Sequence, residues 1–72
     1  MEYEFIDKDK GFEVAYPVSG LFKDGAPAIG AKLILGGRDY RVIEHSYSFR
    51  EVGEGKVPML VSGTCIVYLR EE

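Results

Sequence analysis

Apolar and polar residues alternate in short runs along the chain, and turns rich in glycine separate these runs. Residues 2–6 place Tyr3 and Phe5 on one face, and residues 12–18 alternate in the same way around Val14. A period of two is typical of β-strands, in which successive side chains point to opposite faces. The pattern predicts strands at residues 2–6, 12–18, 31–35, 39–50 and 59–69.

The segments between these strands have the chemistry of turns. Residues 7–11, Asp-Lys-Asp-Lys-Gly, predict a turn in which Gly11 adopts a positive φ, and Gly36-Gly37 predicts a two-residue hairpin. Pro17 cannot donate to a ladder, so the second strand is expected at an edge or to end there. In the connection 19–30, Leu21 and Phe22 are expected to plug one end of the core. Residues 51–57 are expected to form a mobile acidic loop.

The fourth predicted strand changes its apolar face part-way along. Tyr40 and Val42 share one parity, whereas Ile43, Tyr47 and Phe49 share the other. A β-bulge near residues 43–45 reconciles the two, and such bends let short sheets curl into barrels. A further irregularity is expected at Gly63 in the last strand. The fold prediction is one all-β domain over residues 1–72: a small antiparallel SH3-like barrel or strongly bent sheet of five to six short strands, with little or no helix.

Composition narrows the class of protein. The chain has 72 residues, of which 46% are hydrophobic and 12% aromatic, as in ordinary globular domains. A formal net charge of −3 argues against general nucleic-acid binding, which needs a basic footprint. No apolar run approaches a membrane span, and the acidic first residues are unlike a signal peptide, so a cytoplasmic location is expected.

Candidate catalytic and metal-binding groups are few. Cys65 is the only cysteine and His45 the only histidine, which excludes an internal disulfide and a usual zinc site. Cys65 lies on the apolar parity of the last strand and is expected to be buried rather than a nucleophile paired with His45. Residues 7–11 lack the ligands of a calcium loop, and Gly36-Gly37 lacks a phosphate-binding signature. The predictions are no enzymatic activity, no metal and no cofactor.

One set of side chains is a candidate binding face. If the fourth strand is regular, cationic and aromatic groups alternate onto one side of it, with Arg38 near its start. Three alternatives stay open: packing of the core, a protein or self interface, and a nucleotide or nucleic-acid site. The predicted binding residues are Arg38, Arg41, His45, Tyr47 and Phe49.

Residues 26–43, APAIGAKLILGGRDYRVI, and the closing run Ile66-Val67-Tyr68-Leu69 have a familiar form. They resemble the P-x-(I/V)-G-(D)-x-(I/V)-x-(I/V)-x-G-x-x-Y-x-V stretch and final strand of small SH3-like barrels, many of them encoded by bacteriophages and prophages. Many of those proteins have Asp or Glu where this chain has Ala31. The resemblance implies a phage-like accessory or virion-associated module that works by binding, located in the host cytoplasm or the virion.

The function expected is therefore a binding module that contacts a protein. The alternative is a small-molecule binder, for example one that sequesters a nucleotide signal of a bacterial defence system. A homo-oligomer, most simply a dimer, is also expected, because a small sheet with five tyrosines and four phenylalanines has more aromatic surface than a thin core hides. The predicted contact uses Tyr3 and Phe5 of the first strand, or the face of Arg41, Tyr47 and Phe49.

Overall fold

The structure, a computed structural model, describes residues 1–17, 20–53 and 55–72. Within these residues the chain forms five β-strands and no helix: β1 (Glu2–Asp7), β2 (Phe12–Ala15), β3 (Lys32–Leu35), β4 (Arg38–Val52) and β5 (Met59–Glu71). The strands make one sheet in the order β2-β1-β5-β4-β3. The sheet curls strongly into a half-barrel, which confirms the prediction of an all-β, strongly bent sheet.

The sheet is mixed rather than wholly antiparallel. β1 pairs with β5 in parallel, with Tyr3 opposite Cys65 and Phe5 opposite Val67, and the other three pairs are antiparallel. The prediction of an antiparallel sheet is wrong for this pair, because alternation within a strand does not reveal the direction of its neighbour. β5 flanks the whole of β1, whereas β2 flanks only its second half, from Phe5 to Asp7.

The two predicted tight turns are confirmed. Gly11 has a φ of 78°, and the N–H groups of Asp9 and Lys10 donate to Oδ1 of the buried Asp7 at 3.0 Å each. In the β3–β4 hairpin, Gly36 and Gly37 have φ values of 58° and 78°. Positive φ at both central residues is the mark of a type I′ turn, whose twist matches the strands that it joins.

β2 is shorter than predicted. It ends at Ala15, before Pro17, and Val18 and Ser19 lie outside the described residues. Ala15 is opposite Phe5 and Glu13 is opposite Ile6, so Val14 is an extra residue in the ladder. This bulge lets Val14 and Ala15 both pack against the core. Phe12 and Tyr16, which the alternation placed with Val14, are 54% and 79% exposed.

The core lies on the concave face of the sheet. Its buried side chains come from three strands: Phe5, Tyr40, Val42, Cys65, Val67 and Leu69. Phe22 covers one end, with its ring centroid 5.3 Å from that of Tyr3 and 5.6 Å from that of Phe5. Leu21, its predicted partner in this plug, is 62% exposed, so half of that prediction is wrong.

β4 carries the predicted bulge. Val42 is opposite Leu69 and Glu44 is opposite Tyr68, which leaves Ile43 as the extra residue. A second bulge lies on β5, where Val61 is extra between residues opposite Arg50 and Glu51. Gly63 itself stays in regular register, so the prediction of an irregularity there is wrong by two residues. The two long strands have 15 and 13 residues, and β4 includes the first two residues of the predicted 51–57 loop.

Candidate functional site

The bulge at Ile43 splits the predicted binding face between the two sides of the sheet. Side chains directly opposite each other in an antiparallel pair point to the same face. Tyr47 is opposite the buried Cys65 and lies on the concave face, whereas Arg41 is opposite Arg70 on the convex face. The prediction that Arg41 shares a face with Tyr47 is wrong, because one extra residue inverts the parity of everything after it.

The two arginines of the predicted site are engaged at the other end of the sheet. The Arg41 guanidinium donates to the Gly30 carbonyl at 2.9 Å and forms an ion pair with Glu72 at 3.0 Å. Arg38 lies 3.7 Å from the carboxylate of Glu71. Through these contacts both arginines are bound to neighbouring residues around the end of β5.

His45, Tyr47 and Phe49 form a row on the concave face of β4. The rings of Tyr47 and Phe49 are nearly parallel, with centroids 6.4 Å apart and planes inclined by 8°, and His45 meets Tyr47 edge-on at 6.3 Å. His45 Nε2 lies 2.8 Å from the Pro27 carbonyl oxygen and must carry the hydrogen, since a carbonyl only accepts. Tyr47 and Phe49 are 55% and 47% exposed, which places their rings at the surface.

Beyond the end of β1, β4 and β5 continue as a two-stranded hairpin. The first residue of β1, Glu2, is opposite Thr64, so residues 48–53 and 55–63, called the arm below, have no β1 beside them. The arm contributes to a molecule that measures 48 × 24 × 19 Å. Its large exposed apolar side chains are Phe49, Val52, Val57, Met59, Leu60 and Val61. Val52, Val57 and Met59 line one hollow at the tip, and exposed apolar side chains that lie together mark interaction surfaces.

Sequence reasoning missed most of the arm. Met59 and Val61 share the parity of Cys65 and were expected to face the core, and Val57 fell in the predicted acidic loop. The signal was nevertheless present in the strand lengths. A first strand of about five residues cannot flank the whole of strands predicted at eleven or twelve, although the lengths do not say which strands are neighbours.

The open side of the half-barrel contains a cavity of about 290 Å³. Its lining is apolar and comes from both sheet edges and the connection between them: Phe5, Ala15, Tyr16, Pro17, Leu21, Phe22, Leu33 and Leu35. Phe5 is 3% exposed at this site, and Tyr3 is half-buried beneath Phe22. The burial of Phe5 therefore argues against a contact through that ring, whereas Tyr3 stays partly exposed and the predicted interface through it stays a prediction.

Cys65 is fully buried, as expected, and burial raises the pKa of its thiol, while a hydrogen bond with the Tyr47 side chain partly offsets the rise. His45 is bonded to Pro27 instead. In the part of the chain that the structure describes, no group of three or more His, Cys, Asp or Glu side chains could hold a metal ion. The same residues include no helix long and apolar enough to cross a membrane.

Comparison with models of protein families, with curated proteins and with solved structures found no match to this chain. The resemblance to SH3-like barrels of bacteriophages therefore rests on residues 26–43 and the closing run, and the origin that it implies stays a prediction.

Proposed function

We propose that this protein is a non-catalytic binding module that contacts a protein partner through the arm. The observation that carries the proposal is the gathering of exposed apolar side chains on this hairpin. Met59 and Leu60 are 68% and 61% exposed, and Val57 at the tip is 80% exposed. Leaving such groups in water costs about 25 cal/mol for each Å² of apolar surface, and a partner that covers them recovers that free energy.

The composition of the arm indicates what kind of partner surface is complementary to it. The sequence segment 48–63, which is the arm together with Glu54, contains two basic and two acidic residues, so its formal charges cancel, 2 − 2 = 0. Phenylalanine and methionine are enriched in the buried centres of protein interfaces, where charged side chains are depleted. The complementary surface is therefore apolar and nearly neutral, which is the chemistry of a protein rather than of a nucleic acid or an ionic ligand.

The nucleotide-binding alternative has less support. Such a site needs a cation close to the ring on which the base stacks. The stacked rings of Tyr47 and Phe49 lie on the concave face, whereas Arg41 lies on the convex face and is paired with Glu72. Within the proposal, the role of a phage-like accessory or virion-associated protein rests on the sequence resemblance alone.

Capture from a bacterial lysate with matched variants tests the proposal. The bait proteins are the native chain, a Met59→Ser/Leu60→Ser arm variant, and an Ile34→Ser control. Ile34 on β3 is 68% exposed, as apolar as the arm residues, and outside the arm. We expect one stoichiometric protein to be retained by the native chain and the control and lost by the arm variant. With that protein purified, the Kd should rise at least tenfold for the arm variant, about 1.4 kcal/mol.

Two results would overturn the proposal. One is a captured protein that the arm variant retains as well as the native chain does. The other is a nucleotide that raises the Tm progressively as its concentration increases above its Kd, since preferential binding to the native state gives that signature.

A further inference from the structure

Among the described residues, β4 has an open edge along more than half of its length. β3 pairs only with residues 38–41 of β4, and the backbone of Val42 is bonded to Gly30 and Ala31. After Val42, the described part of the chain places no strand beside β4 other than β5. An exposed strand edge is a template for pairing with another chain unless its sequence prevents this.

The hydrogen-bonding directions along this edge follow from one contact. The Leu69 carbonyl accepts from the N–H of Lys8 at 3.0 Å, so the backbone of Leu69 faces β1. Facing alternates along a strand, so Tyr68 and every second residue before it face β4. The β4 residues opposite these therefore face β5: Glu44, Ser46, Ser48 and Arg50. The three residues between them direct their N–H and C=O groups to the open edge: His45, Tyr47 and Phe49.

Beyond the proposed contact of the arm, we infer that the partner of this edge is a second copy of this chain. The two β4 strands pair antiparallel about a two-fold axis at Tyr47. Tyr47 is then opposite Tyr47 of the second copy, and His45 is opposite Phe49 in both directions. All three edge residues are hydrogen-bonded in this register, which gives about six bonds, two for each of three pairs. Pairing covers residues 44–50 only, because the same register would bring Val52 against Val42, whose backbone edge is already occupied. The hairpin therefore has to leave the joined sheet after residue 50, at the bulge of β5.

The charges along β4 select the same register. It places Arg50 opposite Glu44 of the second copy, and symmetry forms this pair twice. Both residues lie on the convex face, where Ser46 and Ser48 also become opposite each other. The adjacent symmetric registers with the same hydrogen-bonding directions pair only two of the three edge residues and move Arg50 away from Glu44. Opposite charges directly across a ladder stabilise it, and like charges destabilise it.

The same pairing also adds aromatic contacts on the concave face of the sheet. The rows of His45, Tyr47 and Phe49 from two copies become adjacent and form one aromatic ladder across the joined sheets. Tyr47 and Phe49, each about half exposed in one copy, then gain aromatic neighbours from the other. Cross-strand aromatic pairs are among the stabilising contacts of sheets.

The molecular mass in solution and the hydrogen exchange of backbone amides together test this pairing of two β4 strands. Light scattering after size exclusion should give twice the 8.0 kDa mass of one chain at high protein concentration. Under those conditions the N–H groups of His45, Tyr47 and Phe49 should exchange with solvent at least tenfold more slowly than after dilution to the monomer. A mass of one chain at 100 µM and above overturns the inference. A dimer whose three amides stay unprotected overturns it too.

A charge reversal tests the register. Arg50→Glu alone and Glu44→Arg alone should each raise the dimer Kd about tenfold, because symmetry creates two like-charge pairs. The double variant Arg50→Glu/Glu44→Arg should return the Kd to within about threefold of the native value. Glu44 also pairs with Lys8, so Lys8→Gln serves as the control that removes this ion pair and leaves the edge intact. Double-variant dimers no tighter than the single variants would contradict the register.

These experiments distinguish a failure of the self-pairing inference from a failure of the proposed function. If the chain is monomeric and Met59→Ser/Leu60→Ser still abolishes capture of a foreign protein, the arm binds that protein and self-pairing is wrong. If the dimer forms with protected amides but the arm variant loses no foreign protein, self-pairing stands and the arm proposal is wrong.

Discussion

The ring of Phe49 lies across the ladder over Gly63, so close that a Cβ on residue 63 would come within 2.8 Å of two ring carbons. The two residues are directly opposite each other in the β4–β5 pair. An aromatic ring that covers a glycine in this way replaces the packing that the glycine lacks. Gly63 therefore makes room for Phe49, and the ring in turn aligns with Tyr47 in the row on the concave face.

Gly63→Ala should destabilise the native chain by about 1 kcal/mol, since the added methyl group displaces the ring. In a Phe49→Ala background the same change should stabilise by about 0.5–1 kcal/mol, because alanine orders a strand at a lower entropic cost than glycine. Urea unfolding of the four proteins measures the coupling. Equal effects of Gly63→Ala in both backgrounds would show that the ring does not depend on the glycine.

Cys65 should behave as a core residue. Its side chain is fully buried, so native-state labelling by a thiol reagent should be much slower than labelling of the unfolded chain. Cys65→Ala should fold and lose about 1 kcal/mol through the missing sulfur. Rapid, complete labelling under native conditions would contradict the burial of this side chain.

Stability should fall at alkaline pH because of the same thiol. Its ordinary pKa is 9.0, and burial raises the pKa in the folded chain. Above the ordinary value the unfolded chain has released a proton that the native chain retains, so the free energy of unfolding decreases as the pH rises. Denaturant unfolding between about pH 8.5 and 9.5 should show this loss in the native chain and a smaller loss in Cys65→Ala. Identical slopes would exclude the thiol as the cause.

Asp7 should stabilise the β1–β2 turn as a hydrogen-bond acceptor. Its Oδ1 accepts from the N–H groups of Asp9 and Lys10, and its buried Oδ2 has no partner among residues 1–17, 20–53 and 55–72. Asp7→Ala should cost about 1–2 kcal/mol, and Asp7→Asn less than half as much, because the amide oxygen keeps the acceptor. Thermal unfolding compares the two variants. An equal loss would show that the charge, and not the acceptor, matters.

Arg41 should act in stability and not in partner binding. Arg41→Gln removes the bond to the Gly30 carbonyl and should cost about 1 kcal/mol, since that bond joins the connection before β3 to β4. The control Arg38→Gln should change stability by less than about 0.5 kcal/mol, because the ion pair of Arg38 with Glu71 is exposed and 3.7 Å long. Neither change should alter the amount of partner captured. A loss of capture with Arg41→Gln would restore the arginine to the binding surface.

Local chemistry predicted much of this fold. The glycine pair at residues 36–37 predicted a hairpin because only a turn with positive φ at both positions matches the strand twist. The change of apolar parity between Val42 and Ile43 predicted the bulge that the ladder contains. Cys65 was predicted to be buried from its neighbours of the same parity. Each of these features depends on residues within a few positions of one another.

The candidate site could not be predicted from the sequence of its own strand alone. The bulge was predicted, but the binding face was derived from a regular pleat, and the extra residue at Ile43 turned Tyr47 away from Arg41. Which strands lie at the edges was likewise undetermined, so Phe5 was predicted at an interface although it is buried and β1 has a neighbour on both sides there.

The sequence by itself determined where the chain extends, where it turns and where it bends, because those choices are made by backbone preferences and side-chain alternation over short distances. Only the tertiary structure decided that β5 returns parallel to β1, that no described strand except β5 flanks β4 after Val42, and that the arm projects beyond β1. The physical reason is that strand neighbours are chosen by contacts between distant segments, and the same alternating strand satisfies its pattern beside any partner that buries its apolar face.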